Sequence, residues 1–235
     1  MIILLAAAVL PAVFLLSRVN KMDTIEKEPW SILRKLLIFG ALSGIPAALV
    51  ESLLTGVLLG ALTEGTVLYN LVAGFIVAAL VEESFKFFFL YKFTFKSPDF
   101  NYRFDGVVYA VFVSMGFAIL ENVLYVFQGG LGVALSRALL ALPLHAACGV
   151  YMGITYGQQK VQSLYKPATF GSVAAACLPV PILIHGFYDS CAFSAENYPI
   201  FLLVFVVFVI LVFILTLRQL KKASQEDRHV EEVTL

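Results

Sequence analysis

Glu51, Glu82, Glu83, Lys86, Glu121, Arg137, His145, His185 and Asp189 stand inside apolar runs where such side chains are seldom found. An ionisable group in hydrocarbon is costly enough that it faces a bundle interior or a wet cavity and marks a functional path. The spacing adds information. Glu82 with Lys86, Phe117 with Glu121, and His185 with Asp189 are i, i+4 pairs, so each pair shares one helical face.

Three chemistries could use this set. A carboxylate in an apolar pocket can act as a base toward water, while histidines and a second carboxylate orient that water or stabilise an oxyanion, which is hydrolysis without a metal. Alternatively, Glu121, His145, His185 and Asp189 offer the nitrogen and oxygen ligands a catalytic zinc takes, with Glu82 or Glu83 left as base. No HExxH motif supports that choice. Thirdly, a chain of buried Glu, His and Asp side chains could carry protons or ions, as in a transporter.

The elements that hold these residues must be membrane spans. Of 235 residues 60% are hydrophobic and 14% charged, and the mean hydropathy is +0.91, far outside the range of soluble domains. A bilayer core of about 30 Å needs roughly 20 apolar residues per helix. Seven such runs occur, at about 1–17, 36–62, 67–91, 106–128, 131–157, 169–193 and 198–217. The fold expected is an all-α polytopic bundle, with one transmembrane domain over 1–217 and a polar, frayed tail over 218–235. The first run reads as a retained anchor, because no basic residue precedes it and no small-residue cleavage site ends it cleanly. Sixteen basic and sixteen acidic residues cancel, so no global field recruits nucleic acid. Cys148, Cys177 and Cys191 form no CxxC pair and read as buried free thiols.

Basic residues orient the bundle. Fourteen of the sixteen fall between spans one and two, three and four, five and six, or in the tail, whereas the connections TEGTV, QGGLG and SAENYP hold none. By the positive-inside rule the amino terminus is outside and the tail cytoplasmic. This parity counts 31–62 as one overlong crossing that starts as an interfacial helix, despite Gly40, Gly44, Pro46, Gly56 and Gly60. Some of the polar residues also have structural readings. Lys86 and Arg137 could snorkel to opposite surfaces, Glu51 could pair with either, and His145 could be a hydrogen-bonded core histidine with Gly149 permitting close helix packing.

In chain order the motifs are EESFK at 82–86, FAILE at 117–121, HAACG at 145–149 and HGFYD at 185–189. Together inside apolar spans they resemble the EExxK, FxxxE, HxxxG-like and HxxxD series of the PrsW family of intramembrane proteases, and DGVVYAVFVSMGFAILENVLYVF from Asp105 to Phe127 is similar throughout. The resemblance runs from about Val81 to Asp189. It implies site-1-type cleavage of a membrane-anchored substrate, a single-span anti-sigma factor, starting a stress response. It also implies kinship with CAAX prenyl endopeptidases and Abi proteins, in which a glutamate activates water. Carried over by motif, Glu82 or Glu83 would be the base and Lys86 would tune the pair. Glu121, His185 and Asp189 would complete the site, supported by His145. Whether zinc or another divalent metal joins them stays open, as do the transporter reading and that of a non-catalytic Abi-like membrane protein.

Depth follows from helix rise. At about 1.5 Å per residue Glu82 lies roughly 15 Å from the cytoplasmic end of its span, and Glu121 and His185 roughly 22 to 24 Å from theirs. The cluster should therefore sit from mid-bilayer to the outer half, in a cavity open to the extracytoplasmic side with a lateral gap for substrate.

Overall fold

The structure, a computed structural model, describes residues 1–233. It contains α1 (Ile2–Met22), α2 (Trp30–Ala61), α3 (Val67–Val72), a π-helical stretch (Ala73–Ala79) leading without interruption into α4 (Leu80–Thr94), α5 (Asp105–Leu139), α6 (Ala141–Gln162), α7 (Phe170–Cys177), α8 (Pro179–Ala195) and α9 (Ile200–Gln225). Read as rods, with α3, the π stretch and α4 as one and α7–α8 as a pair bent by 46°, these follow the seven expected spans in order. The protein is an all-α polytopic membrane bundle. In hydrocarbon each backbone amide must be satisfied within its own segment, and apolar runs of this length meet that demand only as helices. Leu49, Leu53 and Val57 on α2 and Ile210, Leu211 and Leu217 on α9 are turned outward, an apolar surface suited to acyl chains and not to water.

α5 is the central post. Every residue from Asp105 to Ala118 is buried, as expected of a helix apolar on all sides. It can be surrounded because its neighbours present small residues. A Cβ on Gly153 of α6 would lie 2.4 Å from Val107 Cα, one on Gly149 2.9 Å from Val111 Cα, and one on Gly157 2.3 Å from Arg103 O. α5 and α6 therefore pack antiparallel at a separation only glycine allows. α2 is one continuous helix of 32 residues through Pro46, so the overlong segment is a single crossing. At about 1.5 Å per residue it exceeds the bilayer core and must tilt or project.

The start of the fifth span differs from expectation. The fifth span was expected from 131, but the returning helix starts at Ala141. At Gly130 the chain turns with φ 73° and ψ −161°, a conformation that a side chain resists. Residues 131–139 then form a short separate helical segment, with Leu131, Leu135 and Leu139 exposed along one stripe and Ala134 packed on Ala8 and Val126. Such an amphipathic piece suits the membrane interface.

The tail is ordered as far as residue 233, where fraying was expected. α9 continues to Gln225, after which the Arg103 amide donates to Arg228 O (3.1 Å) and the Val230 amide to Asn101 O (2.7 Å). The Asp227 carboxylate accepts from the Phe104 amide at 2.8 Å. Donors and acceptors in the tail thus pair with the loop before α5, a pairing between distant segments that composition does not reveal. Beside it, Tyr109 donates to Glu28 in the α1–α2 loop, and burial pushes the Glu28 carboxyl up to about 7. Cys148, Cys177 and Cys191 are buried free thiols, as expected.

Candidate active site

Four rods deliver the predicted residues to one place. The π stretch adds a residue to the helical turn just before α4, and α4 then sets Glu82, Glu83 and Lys86 inward, all of them buried. Lys86 is the hub. Its ammonium donates to Glu83 Oε1 at 2.8 Å and Glu82 Oε2 at 3.0 Å, lies 3.0 Å from His145 Nδ1, and rests 4.2 Å above the centroid of Phe117. Three donors meet three acceptors, so Lys86 is fully paired and does not snorkel.

The histidines extend this network on two sides. His145 Nε2 is 3.0 Å from Glu121 Oε2. With Nδ1 facing an ammonium, the consistent tautomer carries its proton on Nε2 and donates it to Glu121. Ser114 Oγ donates to His145 O at 2.7 Å and ties α5 to α6 at this level. His185 on α8 has Nδ1 2.9 Å from Glu83 Oε1 and Nε2 3.3 Å from Asp189 Oδ2, with Glu82 Oε2 at 3.9 Å. Both nitrogens face carboxylates, so the ring donates on both sides. All seven predicted residues, Glu82, Glu83, Lys86, Glu121, His145, His185 and Asp189, thus belong to one connected cluster.

A cavity of about 510 Å³ opens beside the cluster. Glu82, Glu121, His145, His185 and Asp189 line it, while Glu83 and Lys86 lie behind them. Phe117, Leu120, Leu124 and Leu144 give it an apolar wall.

Arg137, for which snorkelling was one reading of the sequence, instead turns into this wall. Its Nη2 is 3.0 Å from Glu121 Oε2, its Nε donates to Asn122 Oδ1 at 2.9 Å, and its guanidinium stacks 4.3 Å from the centroid of Tyr125. Asn122 was missed because it is neutral, although an asparagine beside Glu121 in an apolar span is itself a signal. Its Nδ2 donates to Ala8 O at 2.6 Å, joining α1 to the site. Glu51 pairs with neither Lys86 nor Arg137, both committed elsewhere, and its Oε1 is buried without a hydrogen-bond partner.

Glu82, Glu83, His145 and His185 each offer one donor atom, and these atoms all lie within 4.8 Å of one another, a donor set of the type zinc takes. This quartet replaces the predicted Glu121 and Asp189 with Glu82 and Glu83. However, Lys86 Nζ sits within 3.0 Å of three of the four residues, so the charge a dication would supply is already supplied by an ammonium. With Lys86 in place the residues do not fit an ion.

The sequence profile of the PrsW family, described as intramembrane metalloproteases, matches residues 28–216. Protease PrsW of Geobacillus kaustophilus (strain HTA426) is 34% identical over 204 residues, covering 87% of this chain and 86% of the relative. Protease PrsW of Halalkalibacterium halodurans is 32% identical over 225 residues, covering 96% and 99%, and that of Bacillus subtilis (strain 168) 30% over 223 residues, covering 95% and 96%. No solved structure matches. With the motif residues gathered in one cluster beside the cavity and the likeness extending over nearly the whole length of its relatives, the chain belongs to the PrsW family and is a peptidase.

Proposed function

We propose that the protein hydrolyses a peptide bond of a membrane-anchored protein, with Glu82 as the base that activates water. One observation carries this reading: of the two adjacent glutamates, Glu82 lines the cavity and Glu83 does not. Glu83 Oε1 already accepts from Lys86 and His185, which leaves it the role of fixing both cations. Glu82 takes a proton from a water in the cavity as the water oxygen bonds to the substrate carbonyl carbon. The carbonyl oxygen becomes an oxyanion, and the same proton passes from Glu82 to the departing amide nitrogen as the C–N bond breaks. His185 Nε2 stands 3.3 Å from Asp189 Oδ2, farther than Nδ1 stands from Glu83 Oε1, and is free to turn its N–H to the oxyanion. Glu121 holds the His145 tautomer, and Arg137 holds Glu121.

The apolar wall suits the unwound end of a transmembrane segment, and the motif resemblance supports a single-span anti-sigma factor as substrate in site-1-type cleavage. The basic loops support an amino terminus outside and a cytoplasmic tail, so that the cavity faces the extracytoplasmic half. No step runs through a metal.

In a purified preparation with a tethered single-span substrate, cleavage is expected to persist after chelation and to be lost in His185→Ala. Activity that disappears with chelator and returns with zinc or cobalt would sink the metal-free reading. For orientation, Ala192→Cys, on the cavity wall, should react in intact cells with a membrane-impermeant maleimide. Reaction only in inverted vesicles would reverse the topology.

A further inference from the structure

A second cavity of about 580 Å³ adjoins the first, and Glu51, Ala78 and Phe193 stand in the walls of both. It extends from the catalytic cavity to the loops between α2 and α3 and between α8 and α9, where Asn197 Nδ2 donates to Gly65 O at 3.3 Å and pins the loops together. Its polar lining has one sign. Glu51, Glu64 and Glu196 contribute carboxylates, and none of the described residues lining it is Lys, Arg or His. Asn70, only 3% exposed, lines it too, using Nδ2 on Ser194 Oγ at 3.2 Å with no described group donating to its amide oxygen.

Glu51 is the informative residue. A buried carboxylate oxygen without a hydrogen bond is costly unless something arrives to satisfy it. Within the cluster the cations are already spent on Glu82, Glu83 and Glu121. What can arrive through the cavity is water or a substrate side chain, and of these a cationic side chain also meets the charge. A chain leaving the catalytic cavity toward water passes Glu51, and a lysine or arginine would lay its apolar stem along Ala73, Val77 and Phe193 while its charge meets the carboxylates.

We propose that this second cavity is a substrate subsite for a basic side chain, recognised by Glu51 at the threshold and by Glu64 and Glu196 at the mouth. The ligand is a Lys or Arg in the stretch of the membrane-anchored substrate that emerges from the bilayer, within a few residues of the scissile bond. The inference rests on the hydrolytic reading above and deepens it.

The test is a set of fluorescent single-span peptides differing only in one position, Lys or Gln, moved stepwise along the emerging segment. Binding is measured to the full chain carrying Glu82→Gln, and cleavage with the unaltered protein. At one position Lys is expected to tighten binding and raise kcat/KM by about tenfold, the size of a charge-assisted hydrogen bond, and Glu51→Gln should erase the difference between the peptides. A second variant, Glu64→Gln with Glu196→Gln on the exposed rim, should reduce the same preference without entering the bundle core. Equal binding of Lys and Gln peptides at every position, or a preference that survives Glu51→Gln, overturns the subsite even if all peptides are cut. Selective binding with no cleavage by the unaltered protein overturns the hydrolytic reading and leaves the subsite standing.

Discussion

Glu82→Gln should reduce cleavage by about 10²- to 10⁴-fold, the range contributed by a positioned general base, while the protein remains folded. Glutamine keeps the shape of the side chain and an oxygen that can still accept from Lys86 at the 3.0 Å now seen, but it cannot take a proton from water. Glu83→Gln is the informative companion. Glu83 is sealed behind the cavity and anchors Lys86 and His185 together, so its loss should misplace His185 and damage folding as well as turnover. The pair separates base from anchor by measuring the cleavage rate beside the unfolding midpoint in mixed micelles. If Glu82→Gln cuts at the unaltered rate, or if Glu83→Gln loses activity with its stability untouched, the roles assigned to the two glutamates are wrong.

Much of this site was legible because intramembrane charge is so rarely tolerated. The i, i+4 pairs placed Lys86 beside Glu82 and Asp189 beside His185, and the helices keep both contacts. What spacing could not give was the choice among interior partners. Lys86 had candidates in Glu51, Glu82 and Glu83, and the antiparallel fit of α5 on α6 brought His145 to it as well. Arg137 looked peripheral because the segment carrying it was expected to be part of a straight fifth span. The turn at Gly130 folds that segment back over Glu121, and a glycine pair in an apolar run does not announce which way the chain will go. The ordered tail was hidden for a related reason: its hydrogen bonds join residues more than a hundred positions apart, beyond the reach of local pattern. By contrast the seven-rod order and the three buried thiols followed from the apolar runs, and the single crossing of α2 from the alternation of basic residues between them.

Lys86→Met should cost about 3 to 5 kcal/mol of stability, the usual result of stripping one member from a buried ionic group. The lost ammonium leaves Glu82 and Glu83 facing one another and His145 Nδ1 without a donor. Removing one of the two carboxylates then relieves part of the damage, so Lys86→Met combined with Glu83→Gln should be less destabilised than the sum of the single changes, by about 1 to 3 kcal/mol. Detergent-titrated unfolding measures both. The same variant bears on the metal. With the lysine gone, Glu82, Glu83, His145 and His185 keep donor atoms within 4.8 Å of one another and no cation among them. Lys86→Met should therefore bind zinc and recover stability with rising zinc concentration, as any ligand of the folded state does, whereas the unaltered protein should show no zinc-dependent shift. A zinc-dependent shift in the unaltered protein would mean that an ion displaces the ammonium and that the cage is a metal site after all. No shift in Lys86→Met, with its stability intact, would mean that the ammonium is not what holds the four acidic and imidazole groups together.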